Sequence, residues 1–473
     1  MLSKLVLRNI IYSSSSMIVA NLTGLITIIF LARALKPELF GLYSLSLSTV
    51  GIISIFSDLG IKSAATRYIA DAMKSRDYKL AGGYAHFLLN LKIFLTIIVA
   101  VILLLLSEDL ASAFDKPIST PLRLLSLYLV FTSISSLLIG MANAMDDFKA
   151  DFLNYSVSGI SKLILTIVLI FLGYSLFGAV LAVVVSALIT FLVLFYYILK
   201  KYIFLFKNKI KVDVSRVLRF IAFTALLSIP TVIFANVDIV MIGYFLKAED
   251  VAYYRAGFSI VTAIISLISI PAVLLPVFVK LEGEDLTRAF LRAFKYSSAL
   301  CLPCAFGLML ISKNLLILAY GEKYLSGLYA MQILCILLIS PVFAIYGSIF
   351  SGKERPELYF YPLILSMVLN VILNYLLIPL IGIVGAGVAT VISHAVSWTI
   401  SAYIGVREFG IRPRFEYIAK PLASAILMFI IARNFDSMVF IFPISILTYS
   451  VTLLALKGIT REDIDFIRKI GGI

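Results

Sequence analysis

"LKPELFGLY", residues 35–43, is a polar phrase containing a proline in a chain that is otherwise mostly apolar. A near copy, "LKAEDVAYY", returns at 246–254, with four of nine positions identical and an offset of 211 residues. The question is what kind of fold writes the same short polar phrase twice.

Composition frames the answer. The chain has 473 residues, 62% of them hydrophobic and only 14% charged, with a mean hydropathy of +1.06. Soluble domains carry roughly 25% charged residues. Apolar runs of about 20 residues recur, the length a helix needs to cross about 30 Å of hydrocarbon. The expected fold class is all-α: a polytopic membrane protein with fourteen spans. Their approximate bounds are 11–34, 40–60, 84–106, 122–145, 152–173, 176–199, 218–245, 252–279, 293–312, 327–350, 359–380, 384–405, 417–433 and 438–456. The first run is too long for a cleavable signal core and contains "SSSS" at 13–16.

Basic residues set the expected orientation, because loops facing the cytoplasm are enriched in Lys and Arg. With these spans, 29 of the 40 basic residues fall in loops or at span ends on the side of the N-terminus and 9 on the other. Lys92 and Lys162 lie inside spans. The expectation is a cell membrane protein with both termini cytoplasmic. The net charge of +14 then reflects topology and attraction to the anionic inner leaflet. No basic soluble module is present to bind nucleic acid.

The repeated phrase joins spans 1 and 2, and again spans 7 and 8. A second match supports the repeat. "GAVLAVVVSALITFLVLFYYI" (178–198) and "GAGVATVISHAVSWTISAYIG" (385–405) agree at six of 21 positions, offset by 207. The expected domains are a six-helix bundle over 1–200, a basic linker over 201–216, a second bundle over 217–406, and two further helices with a tail over 407–473. Six is even, so the halves are parallel repeats, as in transporters. The phrase supplies a helix stop and then Glu near the next helix start, where its charge suits the dipole.

"LARALKPELFGLYSLSLSTVGIISIFSDLGIKSAATRYIADA" (31–72) resembles the N-terminal signature of polysaccharide-biosynthesis membrane proteins. These are the Wzx-type oligosaccharide flippases of the multidrug/oligosaccharidyl-lipid/polysaccharide (MOP) exporter superfamily. "NVILNYLLIPLIGIVGAGVATVISHAVS" (370–397) is similar to the family's eleventh-to-twelfth-helix segment. The resemblance covers most of 10–406. It implies a V-shaped pair of bundles around a central cavity, moving a lipid-linked sugar between leaflets by alternating access. The implied partners are the lipid-linked oligosaccharide, membrane lipid and glycan-assembly enzymes.

Such a substrate requires cations for its phosphate and an apolar slot for its tail. Charged residues inside spans are costly and mark function. Lys162 lies roughly 15 Å into span 5, and Lys92 about 12 Å into span 3, by the 1.5 Å rise. Snorkelling to the interface is the plainer role for Lys92. Lys162 aligns with Leu369 of the second repeat, so its charge is not part of the shared scaffold. Arg33, Arg255 and Arg67 complete the candidate cavity cations, with interfacial anchoring the plainer role for Arg33 and Arg255. Asp58 and Asp238 are the candidates for ion coupling. The plainer roles are pairing of Asp58 with Lys62 or Arg67, and a hydrogen bond between helices for Asp238.

"CLPC" (301–304) reads as small packing residues at a proline kink. His86 and His394, in different spans, do not suggest a metal site. No cofactor motif is visible. Two other readings compete with a flippase: an ion-coupled multidrug exporter of the same superfamily, and a membrane-embedded glycosyltransferase or polymerase. The second lacks a carboxylate cluster in any loop; the first fits poorly with deep lysines.

Overall fold

The phrase at 35–43 is a tight turn between two helices in the computed structural model of the chain. Helix α1 spans Leu2–Ala34, Lys36 is extended, and Pro37 opens α2 (Pro37–Ile53) with Glu38 in its first turn. Proline suits this first helical position because no intrahelical N–H is needed there. The second copy is built alike. Helix α11 (Val214–Phe245) ends at an extended Leu246, and α12 (Ala248–Ile268) begins with Glu249 and Asp250. The Asp250 carboxylate accepts a hydrogen bond from the Lys247 amide at 3.2 Å, capping the new helix.

Between these turns lie α3 (Ile55–Asp58), α4 (Ile61–Lys74), α5 (Tyr78–Leu105), α6 (Ser107–Phe114), α7 (Ser119–Asn143), α8 (Lys149–Phe171), α9 (Ser175–Tyr202) and α10 (Phe204–Lys207). After α12 come α13 (Gly283–Tyr320), α14 (Leu328–Leu334), α15 (Ser340–Gly352), α16 (Glu357–Ile381), α17 (Ile383–Phe409), α18 (Glu416–Ala432) and α19 (Met438–Ala455). The structure describes residues 2–207, 210, 212–268, 278–435, 437–460 and 463. In the N-terminal part of α1, side chains are described only for Tyr12, Ser15, Ser16 and residues from 18 onward. No strand occurs among the described residues. Lys209 and Lys211 of the basic linker lie outside the described residues, and the side chains of Ser13 and Ser14 of the "SSSS" run outside the described side chains.

Twelve helices among the described residues are long and apolar enough to cross a membrane. The two remaining expected spans correspond to the described apolar part of α1, Ile18–Ala34, and to α18. Each has 17 residues, about 26 Å of helix, slightly under the hydrocarbon thickness. The segment 61–83, expected as a loop, is largely helical: α4 buries Ile61, Ala64, Ala65, Tyr68, Ile69 and Ala72 on one face and leaves its polar face open. Large apolar side chains stand bare elsewhere, Phe171 at 80%, Leu380 at 76% and Val439 at 75% exposure. Such bands suit lipid and not water.

The chain forms two compact units, Met1–Arg255 and Ala256–Ile473. The first contains α1 to α11 and the start of α12. Its division does not follow the expected 201–216 linker, because α11 packs on α2 and α4. Gly41 explains part of that attachment. A Cβ there would overlap the carbonyl oxygen of Ala248, so the two copies of the repeated phrase meet backbone to backbone. Lipid gives helices no hydrophobic drive to associate, so close approach through small residues supplies the packing instead. The core of this unit gathers α4, α5, α7, α9 and α11 around Tyr68, Leu88, Leu138, Leu194, Ile198 and Ile221.

The second unit is built around aromatic residues, with Phe290, Phe294, Tyr346 and Phe350 almost wholly buried. Its α16 and α17 form a hairpin that turns at Gly382, with φ of +64°. A Cβ on Gly385 would overlap the carbonyl of Leu377, so glycine is required for this approach. Pro303 interrupts α13 beside Cys301 and Cys304, both free thiols.

Candidate functional site

Four elements of the first unit bring polar groups together. Lys162 sits near the middle of α8 and is half-buried. Among the described residues it makes no hydrogen bond or ion pair, and its electrostatic neighbour is the guanidinium of Arg255 on α12. Arg255 is half-buried and also lies within electrostatic reach of Tyr43 on α2, which in turn reaches Tyr128 on α7. Two like charges in a poorly solvated setting repel. An anion between them removes that repulsion.

The remaining predicted residues do not all join this group. Lys92 on α5 has no exposed side-chain surface, and its ammonium donates to Asp58 of α3, whose carboxylate is 41% exposed. It therefore does not snorkel, and Asp58 does not take Lys62 or Arg67 as its partner. The reason is local: Leu59 and Gly60 adopt left-handed conformations that end α3 and restart the chain as α4. The stacking of residues four apart, which would bring Lys62 over Asp58, is lost. Asp238 on α11 is buried and accepts a 2.6 Å hydrogen bond from the Tyr254 hydroxyl on α12. Arg33 stands exposed at the end of α1. Arg67 lines a separate pocket with Arg216 and Arg219.

Polar groups not singled out from the sequence also appear. Asp147, in the turn before α8, accepts from Lys201 at 2.7 Å, Tyr197 at 2.8 Å and Tyr202 at 2.9 Å, all on α9. Its burial opposes ionisation, but these three donors outweigh it and hold the carboxyl below its usual range. In the second unit, Asn370 and Asn374 on α16 are buried; Asn370 donates to Thr390 of α17 at 3.3 Å, and Asn374 donates to Asn370 at 3.2 Å. The only signal available in sequence was polar residues recurring at helical spacing in apolar runs.

The second unit also holds an apolar groove of about 540 Å³, lined by Ile264, Leu300, Leu308, Met428, Ile441 and Phe442 among others. These residues come from α12, α13 and the two last helices, α18 and α19. Almost no polar surface faces it apart from Ser445, Ser450 and Tyr449.

The family model of polysaccharide biosynthesis proteins matches residues 6–282. The chain belongs to the polysaccharide biosynthesis protein family. It is 24% identical over 442 residues to the probable low-salt glycan biosynthesis flippase Agl15 of Haloferax volcanii, covering 90% of each chain. Among solved structures it is similar to the lipid II flippase MurJ in an inward closed conformation. That likeness has a TM-score of 0.79 and 15% identity, over 96% of this chain and 99% of the other. An inward-facing multidrug resistance MATE transporter of the MOP superfamily follows, with a TM-score of 0.69 and 18% identity over 85% and 98%. At these identities the structural likeness shows the fold, which flippase and exporter share. The polysaccharide biosynthesis protein is thus a multi-pass helical membrane protein of the expected architecture.

Proposed function

We propose that this polysaccharide biosynthesis protein flips a lipid-linked oligosaccharide across the cell membrane by alternating access, as a transporter and not an enzyme. The observation that carries the reading is a lysine near the middle of α8, without an ion pair among the described residues, whose electrostatic neighbour is the guanidinium of Arg255. A phosphate or diphosphate linking sugar to lipid is an anion that both cations can neutralise, and polar residues inside a membrane protein commonly mark substrate paths. The apolar groove on α18 and α19 offers a slot for the lipid tail. That assignment gives the two helices outside the repeats a task the repeats do not perform.

The internal repeat supports two parallel six-helix halves over 1–200 and 217–406, a repeat boundary distinct from the division into compact units at 255. The excess of basic residues in alternate loops supports cytoplasmic termini. Lys92 leaves the substrate set in this reading, because Asp58 already neutralises it. Asp238 remains the candidate for ion coupling, held by Tyr254 in the state seen.

The test is complementation in cells that lack their own oligosaccharide flippase but make the lipid-linked glycan on the inner leaflet. Restoration of the surface glycan is expected. If the glycan stays inside while the protein is present at normal membrane levels, and the same cells instead gain resistance to amphipathic cations, the exporter reading replaces this one.

A further inference from the structure

Three arginines converge on a pocket of about 610 Å³ that is separate from the Lys162–Arg255 group. Arg67 comes from α4, and Arg216 and Arg219 come from the first two turns of α11. All three are exposed, and none forms an ion pair among the described residues. Aromatic neighbours hold two of them instead. Arg67 stacks on Phe220 at 4.7 Å, Arg216 lies over Tyr68 at 5.8 Å, and the Tyr68 hydroxyl donates to the Arg216 carbonyl at 3.1 Å. The one carboxylate lining the pocket is Asp213, which already accepts from the Arg216 amide at 3.1 Å as the cap of α11.

This arrangement is electrostatically unfavourable as it stands. Cations near a helix N-terminus oppose its dipole, and two like charges three residues apart on a helix repel. A third guanidinium across the gap adds to both. The general bias toward basic cytoplasmic loops accounts for arginines in this region, but not for three of them facing one pocket. Guanidinium groups match the oxygens of phosphate with paired N–H donors. The floor is apolar: Phe220 is half-buried, and Phe223 stands 45% exposed. An anion with an attached hydrocarbon chain fits such a pocket better than a free ion.

We infer that Arg67, Arg216 and Arg219 form a binding site for the phosphate ester of a membrane lipid, on the face read as cytoplasmic. The ligand is a glycerophospholipid or a polyprenyl phosphate; the chemistry recognised is the same. A polyprenyl phosphate is the lipid part of the proposed substrate, so that arm rests on the flippase reading; the glycerophospholipid arm does not, and either can fail at these arginines while transport at Lys162 and Arg255 survives.

The experiment uses the full-length protein in nanodiscs of phosphatidylcholine, titrated in separate arms with phosphatidylglycerol and with a polyprenyl diphosphate. Bound lipid is read by native mass spectrometry. Arg216→Gln/Arg219→Gln and Arg67→Gln are expected to weaken binding about tenfold or more in at least one arm, an effect of about 1.4 kcal/mol. Added salt should weaken the wild type and leave the variants little changed. Thermal stability without added anion should stay level or rise in the double variant, because the repulsion is gone. Loss in one arm names the source; loss in both shows a site for either. Wild-type affinity in both arms for both variants overturns the proposal. If the double variant does not fold, Arg67→Gln with rescue by Arg67→Lys decides alone, since a structural role for Arg67 would leave lipid affinity unmoved.

Discussion

The hydroxyl of Tyr449 on α19 donates a 2.7 Å hydrogen bond to the backbone carbonyl of Ala299 on α13. That carbonyl lies four residues before Pro303, which has no N–H to give it. In a membrane an unsatisfied backbone group is costly, and the tyrosine supplies the missing donor. Tyr449→Phe should therefore lower stability by about 1–3 kcal/mol, the cost of an orphaned buried acceptor. In a Pro303→Ala background, residue 303 regains an N–H, and the same substitution should cost much less. Thermal unfolding of the four proteins in detergent reads the coupling. Equal penalties in both backgrounds would show that the hydrogen bond does not serve the proline kink.

The Lys92–Asp58 pair predicts an asymmetry. Lys92 has no exposed side-chain surface, while the Asp58 carboxylate is 41% exposed. Removing the carboxylate strands a buried ammonium, the more expensive way to break such a pair, by roughly 3–5 kcal/mol. Removing the ammonium leaves an acid that solvent already reaches. Asp58→Asn should consequently reduce folded yield and melting temperature more than Lys92→Met does. The reverse order would mean that Lys92 has another route to solvent.

A carboxyl depressed below its usual range stabilises the fold above the unfolded pKa and loses that contribution as pH falls through the folded value. Asp147 is of this kind, through Lys201, Tyr197 and Tyr202. The stability gap between wild type and Asp147→Asn should be constant near neutral pH and should narrow only below about pH 5, where an unfolded Asp begins to protonate. Melting curves across that range check it. A gap that instead narrows between pH 8 and 6 would point to a different titrating group.

Orientation can be read by labelling. Lys200→Cys, at the end of α9, should resist a membrane-impermeant thiol reagent added to intact cells, and Lys36→Cys, in the turn before α2, should react. Both native side chains are exposed, so burial does not confound the result. The opposite pattern would invert the topology.

The sequence announces its helices and turns because hydrocarbon enforces apolar runs of set length, and because a repeated phrase survives where a turn must be rebuilt. Gly41 shows the limit. The repeat marked its phrase, but only the fold shows the glycine lying on the carbonyl of Ala248 in the other copy. For the site, Lys162 is legible as a cation deep in a span and Arg255 as a candidate cavity cation whose plainer role is interfacial anchoring; that the two are electrostatic neighbours is visible only in the fold. Local spacing offers Asp58 either Lys62 or Arg67 as its plainer partner, but a helix break at Leu59–Gly60 hands it to Lys92, 34 residues away in sequence. The acceptor Ala299 and its donor Tyr449 lie 150 residues apart. No local spacing encodes such pairs; helix packing creates them.

The most direct test of the central claim is reconstituted transport with Lys162 altered. Wild-type protein, Lys162→Gln and Lys162→Arg are placed at equal density in liposomes carrying a fluorescent lipid-linked oligosaccharide, and its passage between leaflets is timed by reagent quenching. An ammonium and a phosphate about 4 Å apart attract by about 4 kcal/mol at an effective dielectric of about 20. If water screening leaves only a third of that, the loss is still about tenfold. The account predicts wild-type flipping well above protein-free liposomes, a loss of about tenfold or more in Lys162→Gln, and partial activity in Lys162→Arg, which keeps the charge but not the ammonium. Flipping by Lys162→Gln at the wild-type rate, or wild type no faster than protein-free liposomes, would contradict it.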